Sequence, residues 1–304
     1  MSSYNLGDLI ELVAAANPDR LAVVGGATRY TFGDFDKRTN QVAQMLIGLG
    51  CEPGSKIAVY AWNRVEWAEL FFGSFKARVV PINVNYRYVA EELIYLLNDS
   101  SASVIVYHSI FAPILESILP QVPLITMMLQ IDDESGQGLL PGAMWYEDAL
   151  LSSRSDLPAP ASPDDLYILY TGGTTGMPKG VMWRQYDLFH VLGLGGNAVL
   201  GVPPAASIEE IIDRMEPGVY GNVLLSACPL MHGTGQFSSL LAMNLGGCVV
   251  TLPSRAFDVG ELLGEIERRR VQTLIIVGQA FAGPMLDDLT SNPNRFDLSS
   301  LIMI

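Results

Sequence analysis

The stretch Leu166-Tyr-Ile-Leu-Tyr-Thr-Gly-Gly-Thr-Thr-Gly-Met-Pro-Lys-Gly180 joins an apolar run, suited to a buried strand, to a loop dense in glycine and threonine. From Thr171 to Gly180 the loop holds four glycines, three threonines, one proline and one lysine. Gly172, Gly173 and Gly176 let the backbone enter left-handed conformations and approach a ligand closely, so that successive N–H groups converge on phosphate oxygens as a nest. Thr171, Thr174 and Thr175 add hydroxyls, one of which suits a phosphate-bound magnesium ion. Lys179 supplies a point charge, and Pro178 limits how far the loop wanders. A plain surface turn needs one or two glycines and no hydroxyl cluster, so the pattern points to a phosphate cradle.

Two other nucleotide loops compete for this reading. The nucleoside-triphosphatase form Gly-x-x-x-x-Gly-Lys-[Ser/Thr] places lysine after glycine and before a magnesium-binding hydroxyl, whereas Lys179 stands between Pro178 and Gly180. Gly193-Leu-Gly-Gly-Asn-Ala198 fits the loose dinucleotide pattern, but it follows the helix-like run Tyr186 to Leu192 where that site needs a strand. It reads as a helix end.

Outward from the loop, strands alternate with helices on both sides. Toward the amino end the spacing predicts a helix over Leu6 to Ala16, strands at Leu21 to Val24 and Thr28 to Tyr30, and a helix behind a Thr31/Asp34 capping box. Next come a strand at Lys56 to Tyr60, a helix at Val65 to Lys76, a strand at Val79 to Asn83, a helix at Ala90 to Leu97 and a strand at Ser103 to Tyr107. After Pro113 the pattern weakens, and Ser152 to Asp164, rich in Ser, Pro and Ala, reads as a linker. Beyond the loop follow a helix from about Gln185 to Leu194, a short helix over Ala205 to Met215, a strand at Cys248 to Leu252, a helix at Asp258 to Arg270, a strand at Thr273 to Val277 and a helix at Ala280 to Leu289. Such alternation implies an α/β fold with largely parallel sheets and right-handed crossovers. The expected division is a first α/β subdomain over 1–155 and a second over 165–304 that carries the loop.

Composition narrows the partners. The 304 residues are 49% hydrophobic and 16% charged, a balance that favours buried cores over disorder. A net charge of −14 opposes binding to nucleic acid or to anionic lipid, so an anionic substrate must be met by local dipoles, a metal ion and a few cations. Cys51, Cys228 and Cys248 are widely spaced with no Cys-x-x-Cys pair, which points to buried thiols in a reducing compartment. The amino end has no cationic region followed by an apolar one, and no run of about 18 apolar residues occurs, so a cytoplasmic location without a transmembrane segment is expected.

With its flanks, the loop resembles the signature of the adenylate-forming superfamily, whose members include acyl-CoA synthetases, luciferases and peptide-synthetase adenylation domains. The usual form is Tyr-Thr-Ser-Gly-Thr-Thr-Gly-x-Pro-Lys-Gly, with Gly172 here in place of serine. Tyr30-Thr-Phe32, Thr39-Asn-Gln41, Val79-Val-Pro-Ile-Asn83, Tyr86-Arg-Tyr88 and Phe296-Asp-Leu-Ser-Ser-Leu301 extend the resemblance nearly end to end. It implies the large amino-terminal domain of that fold. Thr171, Gly172, Gly173, Thr174, Thr175, Gly176 and Lys179 would hold ATP, with Thr171 beside magnesium and Lys179 an electrostatic aid.

Pro229-Leu-Met-His-Gly-Thr-Gly235 looks like the family segment whose histidine or aromatic lines the acyl pocket near the reacting carboxylate. This makes His232, Gly233, Met231 and Phe237 candidate pocket residues. The alternative for His232 is a turn histidine satisfied by backbone. Leu240, Leu241, Met243 and the run Val199 to Val202 suit either an acyl tunnel or plain core. Ala205 to Met215 resembles extra chain found in ligases for long or bulky acids. No Gly-x-Ser-x-Gly elbow accompanies His-Gly-x-Gly, which disfavours a hydrolase, and Cys228 with His232 cannot complete a metal site. His108 and His190 read as structural.

The resemblance implies an acid–CoA ligase of fatty acid metabolism. Acid and ATP, with magnesium, give acyl-AMP and pyrophosphate, and coenzyme A then forms the thioester. A fatty or bulky hydrophobic acid is expected. Aryl-acid or luciferase chemistry, and a non-catalytic ATP- or acyl-binding fragment, remain alternatives, and a homodimer is compatible with all of them. The family's third subdomain, its small carboxy-terminal domain and its main catalytic lysine belong to motifs beyond Ile304. The expectation is therefore an amino-terminal portion that is inactive alone.

Overall fold

A computed structural model describes residues 5–156, 162–172, 176–196, 202–215 and 222–304. In chain order the elements are α1 (Leu6–Ala16), β1 (Leu21–Gly25), β2 (Thr28–Thr31), α2 (Phe32–Gly48), β3 (Lys56–Tyr60), α3 (Val65–Lys76), β4 (Val80–Asn83), α4 (Ala90–Ser100) and β5 (Val104–His108). They continue as α5 (Ala112–Ile118), β6 (Met127–Ile131), β7 (Ala143–Trp145), α6 (Tyr146–Leu151), β8 (Leu166–Thr171), β9 (Lys179–Arg184), α7 (Gln185–Val191) and α8 (Ile208–Asp213). The last group is β10 (Val223–Ser226), α9 (Gly233–Asn244), β11 (Cys248–Thr251), α10 (Val259–Arg269), β12 (Thr273–Ile275) and α11 (Gln279–Ser291).

Local chemistry sets several of these boundaries. The Asp34 amide donates to Thr31 Oγ1 at 3.2 Å, which caps α2 as its sequence predicts. Asp258 caps α10 by accepting from the Glu261 amide at 2.7 Å, and the helix stops where Arg270 turns left-handed at φ 54°.

Two compact units result, each built on one sheet. The first comprises Met1–Asp8, Asp36–Trp62 and Glu69–Val191. Its seven-stranded sheet runs in the order β7, β6, β5, β3, β4, β8, β9, parallel throughout except for the β8–β9 hairpin. Tyr60, Val80, Ile82, Leu93, Leu96, Tyr107 and Ile168 are buried together in its core. Every residue of β4 and β5 is buried, as expected of strands covered on both faces.

The second unit comprises Leu9–Phe35, Asn63–Ala68 and Leu192–Ile304. Its five-stranded sheet runs β12, β10, β11, β1, β2, parallel except between β1 and β2. Val24, Leu225, Val250, Leu262, Ile266 and Leu274 form its core.

The α/β class with mainly parallel sheets agrees with the sequence reading, but the division in space departs from a cut along the chain at 152–164. β1 pairs with β11 more than 200 residues later, Val23 opposite Val249. β8 extends the earlier sheet through β4, Ile82 opposite Ile168. The amino-terminal hairpin therefore belongs with the carboxy-terminal unit, and the loop-bearing hairpin belongs with the earlier strands. The three cysteines are buried and free, and burial pushes the Cys248 thiol up to about 12.

Candidate functional site

The glycine loop spans the turn between β8 and β9, with Thr171 opposite Lys179 as the last pair of the ladder. Sequence reading placed the next element as a helix from about Gln185. The structure inserts β9 first, and α7 then starts at Gln185 as expected. Antiparallel pairing from Leu166–Arg184 to Thr171–Lys179 gives both ends of the loop a rigid base.

Glycine serves two separate purposes here. A Cβ on Gly180 would lie 2.9 Å from Tyr170 Cε2 and 3.0 Å from Ile168 Cγ2, so the ring of Tyr170 packs directly over its cross-strand partner. Gly172 and Gly176 are different, because a Cβ on either would meet nothing within 4 Å among the described residues. Gly176 has φ +112°, a conformation side chains rarely adopt, and both residues are exposed. Their backbone groups are presented to the surroundings. Thr171 and Lys179 are also exposed, while Pro178 is buried and anchors the loop. Gly173, Thr174 and Thr175 lie outside the described residues.

Behind the loop, the carboxamide of Asn83 brackets Tyr170. Asn83 Nδ2 donates to the Tyr170 carbonyl at 2.9 Å, and the Tyr170 amide donates to Asn83 Oδ1 at 2.7 Å. Asn83 ends β4 and is 3% exposed, so the bracket continues the parallel ladder to the edge of the loop. Tyr170 Oη donates to Asp99 at 2.7 Å, and burial, reinforced by that carboxylate, raises the phenol above its ordinary range. Asn83 had been noted only as part of a resembling motif, and its role follows from the register of β4 and β8.

The second candidate segment lies in the other unit, between β10 and α9. His232 is exposed and occupies the N-cap position of α9 with extended backbone (φ −104°, ψ 144°). Its amide donates to the Pro229 carbonyl at 3.1 Å, and its carbonyl accepts from the Gln236 amide at 3.0 Å. Met231 is buried, whereas Gly233 and Phe237 are half-buried. Gly235 is required by packing, since a Cβ there would lie 2.8 Å from Ser226 Oγ and 2.9 Å from the Pro229 carbonyl oxygen. Here too an asparagine brackets the turn. Asn63 Nδ2 donates to the Cys228 carbonyl at 3.0 Å, and the Leu230 amide donates to Asn63 Oδ1 at 2.7 Å. Sequence reading missed Asn63, and nothing local to it signals the role.

Of the expected tunnel residues, Leu240 and Met243 are buried on α9, Leu241 is half-buried, and Val199 to Gly201 lie outside the described residues. The segment Ala205 to Met215 contains α8, capped where Ser207 Oγ accepts the Glu210 amide at 3.2 Å. His108 is fully buried, and its Nδ1 accepts the Trp62 amide at 2.9 Å, as a structural histidine does. Among the described residues no cluster of three or more His, Cys, Asp or Glu is arranged to hold a metal, and no helix is long and apolar enough to cross a membrane.

Comparison with known proteins decides the family. The AMP-binding enzyme family model matches residues 10–304. The chain belongs to the AMP-binding enzyme family. The medium-chain acyl-CoA ligase Mig of Mycobacterium avium is 41% identical across all of this chain and 57% of its own length. A medium/long-chain-fatty-acid–CoA/3-oxocholest-4-en-26-oate–CoA ligase of Mycolicibacterium smegmatis is 33% identical over 99% of this chain and 55% of its own. The crystal structure of the anthranilate CoA ligase AuaEII with anthranoyl-AMP superposes with a TM-score of 0.83 over 98% of this chain and 54% of its own, at 23% identity, a likeness of fold. The chain thus spans a little over half the length of the relatives it matches.

Proposed function

We propose that the whole protein is an ATP-dependent carboxylic acid–CoA ligase acting on a fatty or other bulky hydrophobic acid. The observation that carries the proposal is the β8–β9 hairpin, where open glycines at 172 and 176 and the exposed Thr171 and Lys179 stand on a base fixed by Asn83. Such a loop suits a polyphosphate, because exposed backbone N–H groups and one cation meet negative charge without a broad basic surface. The acyl-CoA ligase names of the relatives support a CoA thioester as product and a medium-to-long hydrophobic acid as substrate.

In this reading the acid's carboxylate attacks the α-phosphate of ATP and pyrophosphate leaves. The thiol of coenzyme A then displaces AMP from the acyl-AMP. Thr171, Gly172, Gly173, Thr174, Thr175, Gly176 and Lys179 hold the departing phosphates, while His232, Gly233, Met231 and Phe237 serve the acid. Thr171 has the hard-oxygen chemistry that magnesium takes, and one exposed hydroxyl fits as a ligand to an ion brought in by the phosphates. When bound, that ion would neutralise charge on the phosphate oxygens. The proposal places the reaction in the cytoplasm, where three buried thiols stay reduced.

The test is acid-dependent exchange of pyrophosphate into ATP, with calorimetric titration of ATP alongside. Exchange should be weak or absent for residues 1–304 and present once the chain is joined to the remaining portion of the Mycobacterium avium relative. Tight ATP binding with no exchange in the joined protein, for any hydrophobic acid, would favour a binding module instead. Unchanged ATP affinity in both Lys179→Ala and Gly173→Val would remove the loop from the proposal.

A further inference from the structure

The buried side of α9 is more polar than an acyl-lining helix requires. Asn244 is fully buried, and neither its Nδ2 nor its Oδ1 has a hydrogen-bond partner among the described residues. Ser239 is 4% exposed, and its Oγ likewise has none among the described residues. Buried polar groups are ordinarily satisfied, and each exception needs an explanation in a bound water or ligand. A hydrophobic side chain at 244 would avoid the penalty.

Position along the helix suggests what the amide meets. α9 begins directly after His232, the residue assigned to the carboxylate end of the acid, and packs on β10, β11 and β12. From His232 to Asn244 is twelve residues, or about 18 Å of helix rise. Leu240 and Met243 are the apolar buried residues on the way. At the far end, a Cβ on Gly195 would lie 3.2 Å from both Leu245 Cδ2 and Ile211 Cγ1, so Gly195 packs against Ile211 of α8 and against the residue that follows Asn244. An extended long acyl chain, or a steroid acid, spans such a distance.

We infer that α9 measures its substrate: the acid carries an oxygen function, a ketone or hydroxyl, remote from the carboxylate, and the Asn244 carboxamide hydrogen-bonds that oxygen. The amide recognises either form, since Nδ2 donates to a ketone and Oδ1 accepts from a hydroxyl. A plain hydrocarbon tail leaves both amide atoms unsatisfied. A site built to hydrogen-bond a substrate oxygen discriminates against the analogue that lacks it, because its own polar group is then stranded. This inference rests on the acid-activating reading above.

Calorimetric titration of the 304-residue chain with three acids tests it: hexadecanoic acid, ω-hydroxyhexadecanoic acid, and a steroid acid with a ring ketone remote from its carboxylate. The wild type should bind at least one oxygenated acid about fivefold to tenfold more tightly than hexadecanoic acid. Which of the two is preferred separates a linear substrate from a steroidal one. Asn244→Leu should reverse the preference and raise the melting temperature of the unliganded protein. Asn244→Ala serves the same comparison if leucine does not pack. An unchanged ratio of affinities in either variant overturns the inference, as does a complex in which only water contacts the carboxamide. If hexadecanoic acid binds without any preference for oxygenated acids, this inference alone falls. If no acid binds even once the chain is joined to the remaining portion of the Mycobacterium avium relative, the acid-activating reading falls with it.

Discussion

The Tyr170–Gly180 loop and the Cys228–Gly235 turn are built alike up to a point and then diverge. Each follows a strand, β8 or β10, each is bracketed by an asparagine carboxamide, Asn83 or Asn63, and each has a glycine pressed against a neighbour, Gly180 or Gly235. The loop returns as an antiparallel strand, whereas the turn runs into a helix. In the loop, Gly172 and Gly176 remain open and offer backbone groups. In the turn, Gly235 is consumed by packing, and what stands exposed is the His232 side chain at the N-cap. One region leaves its backbone open to the surroundings, and the other uses its backbone as scaffold for a side chain.

The largest expected effect breaks the scaffold. Gly235→Val places a branched side chain where the Cβ alone lies 2.9 Å from the Pro229 carbonyl oxygen and 3.1 Å from that of Cys228. Backbone cannot retreat as a flexible side chain can, so a loss of about 3 kcal/mol or more is expected in chemical denaturation. Gly172→Ala, in open space, should change stability by less than about 0.5 kcal/mol.

Next come the two brackets. Asn83→Ala strands a buried amide and a carbonyl of Tyr170 and should cost about 2–4 kcal/mol. Asn63→Ala removes an equivalent pair from a half-buried side chain that water can partly replace, so about 1–2 kcal/mol is expected. The functional readouts should separate: Asn83→Ala weakens ATP and spares acid, and Asn63→Ala does the reverse. If both variants weakened both ligands equally, the two brackets would not be local devices.

How much of this could be read in advance depended on how far each signal reaches along the chain. The helix at Leu6–Ala16, the strand at Lys56–Tyr60 and the helix at Val65–Lys76 fall where hydrophobic spacing put them, because one buried face marks each period. α9 escaped notice because Gln236, Ser239 and Asn244 sit on its buried side and erase the apolar stripe. β6, β7 and α6 are three to six residues long, too short for a period to emerge. β9 was hidden because the loop reads as a phosphate cradle, and such a cradle ordinarily opens a helix. The loop itself was legible from residue types alone. The brackets were not, since Asn63 and Asn83 meet partners 165 and 87 residues away.

The smallest structural effect, and the sharpest test of the contrast, is Lys179→Ala. Lys179 is exposed and its backbone already belongs to the β8–β9 ladder, so removing the side chain should leave stability within about 0.5 kcal/mol of wild type. Its contribution to ATP should be one charge at the mouth of a backbone nest, which predicts a fivefold to tenfold loss of affinity, about 1–1.4 kcal/mol. A contact of that kind weakens as salt screens it, so raising ionic strength from about 0.05 M to about 0.5 M should narrow the gap between variant and wild type. Gly176→Val, which forces a branched residue into φ +112°, should lower affinity further, and that gap should persist at high salt because it arises from backbone geometry. If the lysine variant lost more affinity than the glycine variant, the loop would be a cation site with an incidental backbone, and its difference from the His232 turn would disappear.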